Sequence, residues 1–153
     1  MPIVLEPRID VEAVAPEAER AIGAMDAYVA RSGLEPSLLE LVRTRASQIN
    51  GCAYCVDMHT KDARARGETE QRLYGLSVWR ETPYYTDRER AALAWTEAVT
   101  LVHDGHVPDE VYAEARSQFS EQELIALTVA VIAMNAWNRL AIAVRTVPGT
   151  YQP

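Results

Sequence analysis

The decisive stretch is Leu38-Leu-Glu-Leu-Val-Arg-Thr-Arg-Ala-Ser-Gln-Ile-Asn-Gly-Cys-Ala-Tyr-Cys-Val-Asp-Met-His59. It begins inside a helix predicted over 36–49, with Pro36 suited to a first turn. It breaks at Gly51 and restarts as a helix over 51–67. With Cys52 at 0° and about 100° per residue, Cys55 falls near 300° and His59 near 340°. These three side chains can therefore converge on one side of the helix. Tyr54 at about 200° and Asp57 at about 140° point elsewhere. Cys52 follows Gly51 and so lies at a helix start, where backbone N–H groups favour a thiolate.

Magnitudes limit what the helix start can do. Lowering a thiol pKa by two units takes about 2.7 kcal/mol. A helix terminus supplies roughly 0.3–1 kcal/mol. A reactive thiol here needs a helper, and His59, one turn beyond Cys55, can serve as base or as imidazolium. Glu40 would by itself oppose a thiolate, and helps only by accepting the proton through His59 or water. Plainer readings stay open. Two cysteines at helical spacing can be ordinary core residues. Ser37 and Glu40 form an S-x-x-E capping box. Cys52, Cys55 and His59 can also be three zinc ligands, with His103 or His106 completing the set, although no second C-x-x-C or H-x-x-H is present.

Working outward, the remaining chain reads as helices joined by short loops, over 16–31, 70–79, 86–103, 108–118 and 120–145. Thr86 with Glu89 and Ser120 with Glu123 are capping boxes. Glycines at 33, 51, 67, 105 and 149 fall at helix ends, and no alternating run signals a strand. The expected fold is all-α, one domain of six to seven helices over 1–153. The last helix is apolar on nearly all sides from Leu124 to Met134, so it is either the central helix or part of a subunit interface.

Composition narrows the function. The 153 residues are 48% hydrophobic with a net charge of −7 and two cysteines. That supports one packed domain and argues against a nucleic-acid-binding face or a disulfide-stapled scaffold. No basic start followed by an apolar run marks a signal peptide, and the 124–134 stretch is short of the roughly 20 residues a membrane span needs. A soluble cytoplasmic protein is the expectation.

Glu40, Cys52, Cys55 and His59 together resemble the alkylhydroperoxidase D-like branch of the carboxymuconolactone decarboxylase superfamily. The pattern is a Glu, twelve residues on a C-x-x-C, then a His four beyond the second Cys. Ile49-Asn50-Gly51 and Asn135-Ala-Trp-Asn-Arg139 also look like this branch. The resemblance implies a thiol-dependent hydroperoxide reductase without haem, flavin, metal or other cofactor. It implies that Cys55 attacks the peroxide, that Cys52 protonates the departing oxygen and resolves the sulfenic acid as a disulfide, and that Glu40 and His59 form the proton relay that ionises Cys55. A thiol or lipoyl-type reductant and a homo-oligomer, trimer or hexamer, are implied as partners. Asn135 and Trp137 are candidates to wall the site at a subunit boundary. One departure is Tyr54, where well-known members carry a second histidine; tyrosine is a poor base at neutral pH. The alternatives are a decarboxylase of a carboxylated lactone, using His59 and Glu40 alone, and a non-enzymatic metal-binding module.

Overall fold

A computed structural model describes Met1 and residues 3–153. Among these the chain is all-helical, without a strand. The helices are α1 (Val11–Val14), α2 (Pro16–Ala30), α3 (Pro36–Asn50), α4 (Ala53–Ala65), α5 (Glu70–Gly75), α6 (Asp87–Thr100), α7 (Asp109–Gln118) and α8 (Glu121–Val144), with a 3-10 turn over Leu76–Glu81 after α5. This is one more α-helix than the sequence predicts at most. The additional one is the single turn α1, capped by the Asp10 carboxylate on the Ala13 N–H. It carries no buried residue, so hydrophobic periodicity has nothing to report there.

Both predicted capping boxes at α6 and α8 form, with Thr86 and Ser120 accepting from the N3 backbone and Glu89 and Glu123 reaching back. The predicted Ser37–Glu40 box does not form. Pro36 takes the first helical position behind Glu35, and Glu40 is drawn instead into the interior.

The core explains the apolar character of α8. Leu124, Leu127, Ala130 and Val131 pack with Val29 of α2, Leu38, Leu39 and Val42 of α3, and Ala91, Ala92 and Trp95 of α6. The helix is thus central to the bundle. By length and composition alone it is apolar enough to cross a membrane, which differs from the expectation drawn from residues 124–134. In the fold it instead contacts α2, α3, α4, α6 and α7. Ile125, Ile132 and Ile142 remain exposed on its outer side.

A polar clasp joins the end of α3 to α8. Asn50 Nδ2 donates to Asn135 Oδ1 at 3.0 Å and to Asn138 Oδ1 at 2.9 Å. Asn138, fully buried, donates to Ser47 Oγ at 3.0 Å. Leaving such a group unpaired costs about 1–3 kcal/mol, so the clasp fixes one register between the two helices. That register sets where the next turn of chain begins.

The turn is Gly51, at φ 70°, a left-handed conformation in which a Cβ is unfavourable. The Gly51 and Cys52 N–H groups close on the Gln48 and Ser47 carbonyls. The chain then reverses into α4, which packs back along α3.

Candidate functional site

The α3–α4 reversal brings Glu40, from the second turn of α3, against the second turn of α4. Cys52 is the N-cap of α4. Its sulfur accepts from the Cys55 N–H at 3.3 Å and is joined to Cys55 in a disulfide with an S–S distance of 2.03 Å. Both cysteines are buried among Ala46 and Met134, with Tyr54, Trp137 and Ala141 packed against them. The predicted helix-start position of Cys52 therefore holds.

His59 lies one turn beyond Cys55 and is also buried. Its Nδ1 stands 2.9 Å from Glu40 Oε2, and Arg43 donates to Glu40 Oε1 at 3.0 Å. Burial pushes the Glu40 carboxyl up, but the hydrogen bond and charge of His59, with Arg43, outweigh it and hold the group below its ordinary value. An ionised Glu40 only accepts, so Nδ1 donates to it and Nε2 is left available for proton transfer. The structure thus brings together all four predicted residues, Glu40, Cys52, Cys55 and His59.

A pocket of about 420 Å³ opens over this centre. Cys55 and His59 line it, whereas Cys52 does not. Apolar lining comes from Val11, Met58, Met134, Trp137, Leu140, Ala141 and Val144, and polar lining from Glu19, Asp26, Arg43, Tyr54 and Asp62. Tyr54, expected to point away, also lines the pocket and packs against the cysteine pair. Asp57 does face outward, accepting from Lys61 Nζ and the Gly149 N–H. Trp137 lines the pocket and donates from Nε1 to Asp26 Oδ2 at 2.7 Å. Asn135 does not line it and belongs to the clasp. His103 and His106 are exposed after α6 and line no part of the pocket.

Asp26 and Arg43 on the pocket lining escaped the sequence reading, and so did Asp62 and Tyr151. Asp62 lines the pocket, and one atom each of Glu40, His59 and Asp62 lie within 4.8 Å of one another. The helical rotation that found His59 also finds Asp62, at about 280° on the same scale. Tyr151 donates to Asp62 Oδ1 at 2.7 Å, and that bond, with burial and the Asp62 charge, pushes its hydroxyl pKa up to about 12. No local signal marks Tyr151. Lys61 holds the strand of chain that delivers it, donating to the Tyr151 carbonyl at 3.1 Å.

Glu40, His59 and Asp62 are the residues that could hold a cation. Arg43, His59 and Tyr151 already occupy three of the four carboxylate oxygens, so a cation would have to displace existing bonds. The two sulfurs are bonded to each other and are not ligands in this state. What the centre can do is hold a dithiol or its disulfide at a helix N-terminus, beside a buried acid–base pair, under an apolar pocket.

An all-helical bundle with a dithiol–disulfide centre is the class that fold and site define. Residues 16–98 match the carboxymuconolactone decarboxylase family. The chain is 41% identical over 136 residues to the uncharacterised protein YdfG of Bacillus subtilis strain 168, covering 89% of this chain and 92% of that one. Among solved structures it is similar to ATU0492 of Agrobacterium tumefaciens, a protein of unknown function named as a candidate AhpD antioxidant defence protein. That match has a TM-score of 0.91 and 44% identity, over 95% of this chain and 100% of the other. An uncharacterised peroxidase-related protein of Ralstonia eutropha JMP134, described as an alkylhydroperoxidase AhpD core, shares the fold, with a TM-score of 0.79 at 22% identity, over 92% and 75% of the two chains. The chain belongs to the carboxymuconolactone decarboxylase family, in its alkylhydroperoxidase D-like branch.

Proposed function

We propose that the protein is a thiol-dependent peroxidase that reduces hydroperoxides through Cys55 and Cys52. The observation that carries this reading is the Cys52–Cys55 pair at the start of α4, beside the buried Glu40–His59 pair. With the pair reduced, His59 Nε2 takes the Cys55 proton and the imidazolium is stabilised by Glu40. The Cys55 thiolate attacks the peroxide oxygen: an S–O bond forms, the O–O bond breaks, and the alkoxide takes the Cys52 proton and leaves as an alcohol. The Cys52 thiolate then attacks the Cys55 sulfur and forms the disulfide, while the hydroxide departs as water with the proton held on His59. Two electrons from an external thiol or lipoyl-type dithiol restore the pair. Assigning attack to Cys55 is supported by its place on the pocket wall, which Cys52 lacks.

Mass-spectrometric thiol counting tests the reading. Reduced protein given one equivalent of organic hydroperoxide should lose two free thiols and gain a Cys52–Cys55 link. Retention of both thiols while hydroperoxide remains in contact for hours would sink it.

The exposed Ile125, Ile132 and Ile142 on α8 support self-association, and the family resemblance makes a trimer or hexamer the expected form. Sedimentation velocity at micromolar concentration should show an oligomer, and Ile132→Glu should weaken it. A monomer across the concentration range contradicts this part of the proposal.

A further inference from the structure

The pocket over Cys55 has a size and a charge that the dithiol chemistry alone does not require. Hydrogen peroxide is scarcely larger than water, whose share of liquid volume is about 30 Å³. A pocket of about 420 Å³ lies within the range of small-molecule sites, roughly 300–1,000 Å³. Apolar lining comes from three separate elements: Val11 of α1, Met58 of α4, and Trp137 and Leu140 of α8. Apolar surface open to a pocket is the natural counterpart of an organic body, since burying it against hydrocarbon is favourable.

The polar lining has one dominant sign. Glu19, Asp26 and Asp62 reach the pocket, and the ionised Glu40 lies directly behind His59. Arg43 is the one guanidinium among the lining residues, and it is engaged already: Glu40 Oε1 lies 3.0 Å from it and Asp26 Oδ1 3.8 Å. The Cys55 N–H at the helix start is likewise taken by the Cys52 sulfur. A carboxylate arriving here would meet Glu19, Asp26 and Asp62 on the lining, while Arg43 is paired with Glu40 and Asp26, and an imidazolium at His59 is paired with Glu40.

We propose that this pocket selects uncharged apolar molecules and repels anions at Cys55, so that the hydroperoxide it reduces is an uncharged organic one, with Asp26 and Asp62 as specificity-determining residues. The identity of the substrate rests on the peroxidase reading; the charge selection does not.

Two arms separate the claims. In the first, reduced protein is alkylated with iodoacetamide or iodoacetate, reagents of like size that differ in charge, and Cys55 modification is followed by peptide mass spectrometry. Cys55 should prefer the uncharged reagent roughly ten-fold more than mercaptoethanol does, and half-molar salt should shrink the preference. Asp26→Asn and Asp62→Asn, both isosteric, should each reduce it by roughly two- to three-fold, whereas Glu110→Gln on the exposed side of α7 should not. In the second arm, single-turnover oxidation is compared for cumene hydroperoxide and its para-carboxylate, and the uncharged peroxide should react faster by a similar factor. A Cys55 preference equal to that of mercaptoethanol overturns the inference, whatever the peroxidase activity. Oxidation by neither peroxide, with the alkylation preference intact, overturns the peroxidase reading and leaves the charge selection standing. Equal rates for the two peroxides overturn the substrate assignment.

Discussion

Cys55→Ser is expected to bring peroxide consumption down to the protein-free rate, a loss of at least about 10³-fold, because removing a nucleophile removes the reaction path. Cys52→Ser should behave differently. It keeps the sulfur on the pocket wall, so one equivalent of peroxide is consumed and Cys55 stops at the sulfenic acid, trappable with dimedone. Turnover with a dithiol reductant should then be lost or made dependent on direct reduction of that acid. The two sulfurs are not interchangeable in the fold: Cys55 faces the pocket, while Cys52 caps α4 and packs against Ala46 and Met134. Unchanged activity in both variants would remove the peroxidase reading. An active Cys55→Ser with an inactive Cys52→Ser would reverse the assigned order. A double variant carrying both substitutions addresses the lactone decarboxylase alternative, since it leaves Glu40 and His59 in place and should keep any acid–base activity that ignores sulfur.

The features legible in the sequence are those set by near neighbours. The capping boxes of α6 and α8 formed because their partners lie three residues apart on an exposed first turn, where little competes. Cys52, Cys55 and His59 were legible for a related reason: one helix carries all three, and its rotation per residue is constant. The Ser37–Glu40 box failed because Glu40 had a stronger claim on it. A residue nineteen positions away, His59, together with Arg43, binds it in the interior, and local spacing cannot weigh that competition. Trp137–Asp26 and Tyr151–Asp62 span 111 and 89 residues. Such contacts depend on how helices pack, and no periodicity encodes them. Asp62 marks the limit: its angle on α4 follows from the same rotation, but no motif spacing gives an acid at that position a role. The apolar length of α8 predicts core or interface, and the packed bundle shows the core role, with Leu124, Leu127, Ala130 and Val131 buried.

Glu40 is the group whose loss should be felt in both stability and chemistry. Glu40→Gln keeps the volume but removes the charge shared by His59 and Arg43, each of them largely buried. Breaking a buried ion pair by neutralising one partner typically costs about 3–5 kcal/mol, and retention of one hydrogen bond by the amide places the expectation toward the low end. On the chemical side, the imidazolium formed when His59 takes the Cys55 proton loses its stabilising carboxylate. The thiolate fraction falls, and peroxide reduction should drop by roughly 10²-fold, the range for losing a positioned acid–base partner. The pH dependence gives the sign. The folded-state pKa of Glu40 is depressed below its ordinary value of 4.5. The unfolded chain therefore binds the proton more tightly, and stability rises with pH through that window. The ionised carboxylate contributes fully above about pH 4.5, and the contribution is lost as pH falls through the depressed folded value. Denaturant melts of the wild type and Glu40→Gln should accordingly differ most at neutral pH and converge in acid. Parallel curves down to pH 3 would mean that folding leaves the Glu40 pKa at its ordinary value, so that His59 and Arg43 do not stabilise its charge; a difference that shrinks as pH rises would mean that Glu40 is neutral in the folded protein, and the proton relay assigned to it would fall.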